Sequence, residues 1–168
     1  MATSTGPGSR LAAFGNQLIA VHLWLREELE RLTDGLDAYL DGEAERPREL
    51  RAHCLTFCSA VRRHHTEEDD SAFPALADEF PELRPVLEEL ERDHHTVADI
   101  LRRVEELLDG LHEGSNAQDV RNELDGLAAL LESHFVYEEK KIVSALNELT
   151  ELPGGVVIQD VMRQQDPH

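Results

Sequence analysis

Basic and aromatic residues are scarce in this chain, and both shortages restrict what it can bind. Over 168 residues, 16 lysines and arginines stand against 35 aspartates and glutamates, which gives a formal net charge of −19. A surface this acidic repels phosphate backbones and anionic lipid headgroups, so we expect neither nucleic acid nor a membrane as a partner. Aromatic residues make up 5% of the chain, and the abundance of Leu, Ala, Glu and Arg favours helices over strands.

Long apolar runs and cysteine-rich patterns are also missing. No uninterrupted apolar stretch reaches the ~20 residues that a membrane-spanning helix needs. Residues 1–9 lack a basic region followed by an apolar one, so we interpret them as a disordered leader, not a secretory signal, and expect a cytoplasmic protein. Cys54 and Cys58 are then expected to be reduced thiols. One helical turn apart, they fit small buried core residues better than a redox or metal pair.

The apolar pattern predicts an all-α chain of one domain, an up-down four-helix bundle over residues 10–149. Glycine and proline mark the ends of four helices, which we place at residues 10–33, 47–70, 82–113 and 116–149. Pro47 is expected in the first turn of the second helix, and Asn116 is expected to cap the fourth. Residues 71–81 predict a short helical turn and a connector. Residues 150–168 form a C-terminal tail that the pattern does not place.

Six polar residues interrupt the apolar stripe of the four helices. In the third predicted helix, apolar residues recur in steps of three and four, and His94 takes one place in that series. Steps of this size keep one face of a helix toward its neighbours. The same phase places the following residues in the interior from the first, second and fourth helices: His22; His64 and Glu68; His134 and Glu138.

This set predicts a site for two metal ions. A single His on an apolar stripe is more often a hydrogen-bonded core residue than a ligand. Two ionised Glu in the interior, however, cost several kcal/mol each without a counter-charge, and two divalent cations would supply it. Each H-x-x-x-E pair places a nitrogen and an oxygen ligand one turn apart on one face. The predicted ligands are His22, His64, Glu68, His94, His134 and Glu138.

The order of these residues resembles the hemerythrin-like, HHE cation-binding family, over residues 11–146. The stretch from His64 to Glu68 (HHTEE), followed by Phe73-Pro74, and the pair Asp93-His94 carry the resemblance. It implies a left-handed four-helix bundle with two non-haem iron ions, bridged by oxo or hydroxo and by carboxylates. It further implies one iron on His22 and His64, the other on His94 and His134, and bridging by Glu68 and Glu138.

The chain departs from the oxygen-carrying hemerythrins at two positions. Their fifth His on the third helix is replaced by Ala98, and their fourth-helix Asp at +5 is replaced by Glu138 at +4. A missing nitrogen ligand leaves a place for water, peroxide or nitric oxide. By its similarity to mycobacterial and actinobacterial hemerythrin-like proteins, the chain is expected to decompose hydrogen peroxide or to oxidise nitric oxide with it. The small diatomic or peroxide ligands are its expected partners.

Other functions remain as alternatives. The main one is reversible O2 or iron binding for sensing or storage. A metal-free interaction bundle would leave the two inward Glu unexplained. A ferritin-like site would need E-x-x-H motifs and more carboxylates than imidazoles, and this stripe has the reverse.

Five further residues near the stripe are assigned roles other than metal binding: His53, His65, His95, His112 and Tyr137. His65 follows His64 directly, and the register favours His64 as the partner of Glu68. His53 lies eleven residues before His64, or ~16 Å along the axis, which is too far for the same site. His95 lies off the stripe, Tyr137 is expected at the edge of the core, and His112 suits a helix C-terminus.

Overall fold

A computed structural model describes residues 14–42, 47–110 and 117–149, and these residues are almost entirely helical. Within these ranges the α-helices are α1 (Phe14–Leu40), α2 (Pro47–Glu67), α3 (Phe73–Glu79), α4 (Arg84–Asp109) and α5 (Ala117–Glu148). A π-helical turn, Glu68–Ala72, joins α2 to α3, and a 3-10 turn, Pro81–Leu83, precedes α4. The predicted leader and tail lie outside the described residues, as do Asn116 and His112, so the domain bounds stay a prediction.

Helices α1, α2, α4 and α5 form a four-helix bundle, as predicted. Helix α1 packs against α2 and α5, and α4 packs against the same two helices, which closes the ring. The largest fully buried side chains are Phe57, Phe73 and Phe135, set among leucines from all four helices. Cys54 and Cys58 are buried free thiols whose Sγ atoms lie 3.7 Å apart, in agreement with a core role. None of the described helices combines the length and apolar character that a bilayer span demands.

Helix α1 runs further than the predicted end at residue 33. Leu36 is fully buried, and a Cβ added to Gly35 would lie 3.4 Å from Leu50 Cδ1, so this glycine sits close against α2. Packing of this last part of the helix offsets the cost of a helical glycine, about 1 kcal/mol. The chain turns at Gly42, whose φ of 77° favours glycine over other residues.

The second predicted helix changes its geometry at Glu68 instead of continuing to residue 70. A π-helical turn adds one residue per turn and is frequent at functional sites. Here the wider turn buries Glu68, Ser71 and Ala72 together. Because Glu68 is a predicted ligand, the irregular turn lies directly at the predicted site.

Candidate metal centre

All six predicted ligands meet in the interior of the bundle, and each side chain is buried. The first cluster consists of His22, His64, Glu68 and Glu138, whose ligand atoms all lie within 4.8 Å of one another. His22 Nε2 lies 3.2 Å from His64 Nε2 and 2.9 Å from Glu138 Oε1. Helices α1, α2 and α5 and the π-turn therefore each supply at least one donor to the same point.

The second cluster consists of His65, Glu68, His94 and His134, again with ligand atoms within 4.8 Å. His94 Nε2 lies 3.2 Å from Glu68 Oε1. The ring of His65 stacks on that of His94, with centroids 3.8 Å apart and planes 9° from parallel. Since Glu68 belongs to both clusters, the two potential metal positions are adjacent.

The interpretation that left His65 outside the site is wrong about its position, because His65 is 5% exposed and faces the centre. The interior stripe of a bundle helix spans about three positions in seven, so two consecutive residues can both face inward. The steps from Val61 to His65 and from His65 to Glu68 are four and three, which fit the stripe as well as the steps through His64. That second series was the signal available in the sequence.

Glu138 lies between the clusters as well. Its Oε1 faces His22, and its Oε2 lies 3.8 Å from His134 Nε2. Each of the two carboxylates thus lies near imidazoles of both groups, since Glu68 is close to His64 and His94 in the same way.

Three carboxylates outside the clusters orient the imidazoles. The Nδ1 atoms of His22, His94 and His134 lie 2.7, 2.9 and 3.3 Å from carboxylate oxygens. The respective partners are Glu139, Asp69 and Asp93. An Nδ1–H that donates to a carboxylate leaves Nε2 unprotonated toward the centre, which fixes the tautomer of a metal-binding His. The sequence did not predict these contacts, although each carboxylate is the chain neighbour of a predicted ligand.

The polar atoms at the centre fit metal binding. Among the residues that the structure describes, both oxygens of Glu68 and of Glu138 are buried, and no hydrogen bond satisfies them when the Nε2 atoms of the neighbouring imidazoles are unprotonated. The same holds for the Nε2 atoms of His65, His94 and His134. Buried polar atoms are rarely left in this way, and a converging group of nitrogen and oxygen lone pairs satisfies itself by binding cations.

The profile of the hemerythrin HHE cation binding domain matches residues 15–146, a span that contains both clusters. The chain belongs to the hemerythrin HHE cation-binding family. Comparison with curated proteins and with solved structures gives no match. The HHE domain of this chain thus holds two buried His/Glu clusters able to bind metal ions.

Two imidazoles of the HHE domain have raised pKa values because of the carboxylates beside them. Burial alone would lower the pKa of His22, but Glu138 and Glu139 outweigh it and raise that pKa to about 9. In the same way, burial would lower the pKa of His94, and its two carboxylate neighbours raise it to about 10. A metal ion binds neutral imidazole, so it would take the place of the protons that balance these carboxylates.

At the centre of the site, burial shifts each pKa toward the neutral form of the group. Burial holds the pKa of His64 and of His65 well below the ordinary value, and the neighbouring imidazoles lower both pKa values further. Burial and the nearby charge of Glu138 raise the pKa of Glu68 well above its usual range. The interior of this HHE domain therefore disfavours an isolated charge. A cation between the carboxylates would offset the cost of burying their negative charges.

The remaining candidates lie outside the two clusters. His95 is exposed, as expected from its place off the stripe. His53 Nε2 lies 3.3 Å from Glu28 Oε1, in a separate polar group. The hydroxyl of Tyr137 donates to Glu89 Oε2 at 2.9 Å, which suits its expected place at the edge of the core.

Proposed function

We propose that this HHE domain is a non-haem di-iron protein that reacts with small oxidants, decomposing hydrogen peroxide or oxidising nitric oxide with it. Five imidazoles and two carboxylates supply nitrogen and oxygen donors of the kind that iron accepts. The number of donors and the shared Glu68 support two ions instead of one. Bound iron would supply electron transfer to and from an oxidant.

The observation that carries this proposal is a cleft that opens to solvent beside the second cluster. The cleft has a volume of about 250 Å³ and lies between α2 and α4, with His65, Asp69, His94 and Ala98 in its lining. A carrier that binds and releases O2 unchanged needs a dry surround, because water and protons promote oxidation of the metal. A cleft open to solvent admits both, and the step that reduces peroxide to water takes up protons.

The chain's own groups keep the site ordered for this chemistry. Asp69 Oδ1 holds the Nδ1 proton of His94, and Glu139 Oε2 holds that of His22, so neither ring rotates freely. His22 is also stacked on Phe135, with centroids 4.1 Å apart, and is fully buried. The His22 ring is thereby shielded from solvent, whereas the second cluster borders the open cleft.

A second candidate, reversible binding of O2 or of iron for sensing or storage, is supported by His65. The sequence suggested that replacement of the carrier's fifth His by Ala98 leaves the site one nitrogen short. With His65 in the second cluster, the number of interior imidazoles returns to five. The number of nitrogens thus favours a carrier or sensor, whereas the cleft open to solvent favours redox chemistry.

We also propose that the chain is similar to mycobacterial and actinobacterial hemerythrin-like proteins. The residues that support this similarity are Ala98 and Glu138. The proposed partners are small uncharged molecules, since the net charge of −19 disfavours nucleic acid and anionic membranes.

The test begins with the purified chain, loaded with ferrous iron without oxygen. We expect about two irons per chain and a near-ultraviolet charge-transfer band after oxidation. An oxygen electrode should then show oxygen released from hydrogen peroxide by the loaded protein and not by the iron-free protein. A stable, reversible O2 spectrum without peroxide consumption would favour the carrier or sensor, and well under one iron per chain would reject both.

A further inference from the structure

The two clusters are not equally close to solvent. Among the seven central residues, His65 and His94 are each 5% exposed, whereas the others are at most 2% exposed. Both of these rings line the cleft between α2 and α4. The cleft is therefore where the described part of the site comes nearest to water.

Ala98 keeps this cleft open. Its methyl group is exposed on α4, one turn after His94, where a longer side chain would cover the opening. Helical side chains lean toward the N-terminus of their helix, so a large residue at position 98 would lie over position 94. The small residue at this place thus has a consequence for access that is separate from its failure to bind metal.

The charges in the cleft indicate which molecules it admits. Arg62 lines the cleft but forms an ion pair with Glu105, so its charge is largely compensated. Asp69 adds a negative charge close to His94. With a net charge of −19 on the whole chain, anions gain nothing from entering, and small uncharged polar molecules enter at the lowest electrostatic cost.

We propose that the cleft between α2 and α4 is the route by which small uncharged oxidants such as hydrogen peroxide reach the second cluster, with Ala98 as the residue that sets its width. This proposal rests on the proposed function, because it names the substrate class of the same site. In this proposal, the size of the side chain at position 98 controls how fast the oxidant reaches the second cluster.

The test replaces Ala98 by Trp and, more mildly, by Leu. Peroxide consumption by the iron-loaded Ala98→Trp protein should be roughly tenfold slower at unchanged iron content, with Leu between the two. Ala98→Ser, which adds little volume, should match the original protein. Ala129→Trp is the matched control, because Ala129 is also an exposed helical alanine and lies outside the cleft lining.

A second readout needs no metal. Diethyl pyrocarbonate modifies unprotonated imidazoles, and peptide mapping by mass spectrometry reports the rate at each His. In the metal-free protein, Ala98→Trp should slow the modification of His65 by roughly tenfold. His53, which pairs with Glu28 away from the cleft, should react at the same rate in both proteins.

The outcomes separate the two proposals. If the original protein binds iron but consumes no peroxide, the proposed function is rejected, and the labelling of His65 still tests the route. If peroxide is consumed and Ala98→Trp is as fast as the original protein with full iron content, the route is wrong and the function stands. Circular dichroism and iron content identify a variant that fails to fold, in which case Ala98→Leu decides.

Discussion

The two clusters share Glu68 but differ in their nitrogen donors and in their enclosure. The first has His22 and His64, which are 0% and 1% exposed, and the second has three imidazoles and borders the cleft. In a symmetric bundle, two metal positions would be equally accessible. Here the first cluster is enclosed and the second borders the cleft, so a small molecule from solvent is expected to approach the second cluster.

The source of the third nitrogen explains this asymmetry. His65 approaches from α2 and lies flat against His94, which leaves the facing position on α4 free for a small residue. With its third imidazole on α2 instead of α4, the second cluster has three nitrogens, while Ala98 on α4 borders the cleft.

Removal of the shared carboxylate should have the largest effect. Glu68→Ala deletes the one group common to both clusters, so we expect less than one metal ion per chain after loading with ferrous iron. Glu28→Ala is the control, because Glu28 is a buried carboxylate in a separate group with His53. Elemental analysis after gel filtration measures both. Two metals retained in Glu68→Ala would show that the clusters do not depend on this carboxylate.

Removal of His65 should affect one cluster only. His65→Ala is expected to lose about one of the two metals and keep the ion held by His22 and His64. His95→Ala serves as control, because this neighbour of His94 is exposed and should keep both. Metal content and the charge-transfer band give the answer. If His65→Ala binds as much metal as the original chain, the imidazole of His65 is a packing residue.

A nitrogen restored on α4 should compensate for the loss on α2. In His65→Ala/Ala98→His, the new imidazole is one turn after His94 and can enter the space that the ring of His65 leaves. We expect recovery of most of the second metal, whereas Ala98→His alone should add none because His65 is in place. A double variant no better than His65→Ala would show that the spacing between α2 and α4 forbids the exchange.

The sequence predicted the parts of this protein that depend on periodicity alone. The bundle and the burial of His22, His94 and Glu138 follow from steps of three and four, because a helix face is a property of spacing. His65 was missed since a stripe drawn one residue wide cannot contain two consecutive residues. The π-turn at Glu68 and the extension of α1 past Gly35 depend on contacts between helices, which no local pattern records.

The carboxylates that hold the Nδ1 atoms should each weaken one cluster by a smaller amount. Glu139→Gln removes a charged acceptor 2.7 Å from His22 Nδ1, and Asp69→Asn removes one 2.9 Å from His94 Nδ1. Loss of such partners lowers metal affinity by roughly 10–100-fold. Competition with a chromophoric chelator should show one weakened site of two in each variant. Equal weakening of both sites would mean that the clusters bind metal as one unit.

Asp93→Asn should have the smallest effect of the series. Its oxygen lies 3.3 Å from His134 Nδ1, the longest of the three contacts, and its side chain is 37% exposed compared with 23% for Glu139. Solvent already screens this carboxylate, and the amide oxygen of Asn can still accept the Nδ1 proton, so only the charge assistance is lost. We expect less than about a tenfold loss of affinity at the second cluster. The same chelator competition ranks the variants, and the order should follow the contact distance. If Asp93→Asn lowered metal affinity more than Glu139→Gln did, His134 would depend on its outer carboxylate more than the enclosed His22 does.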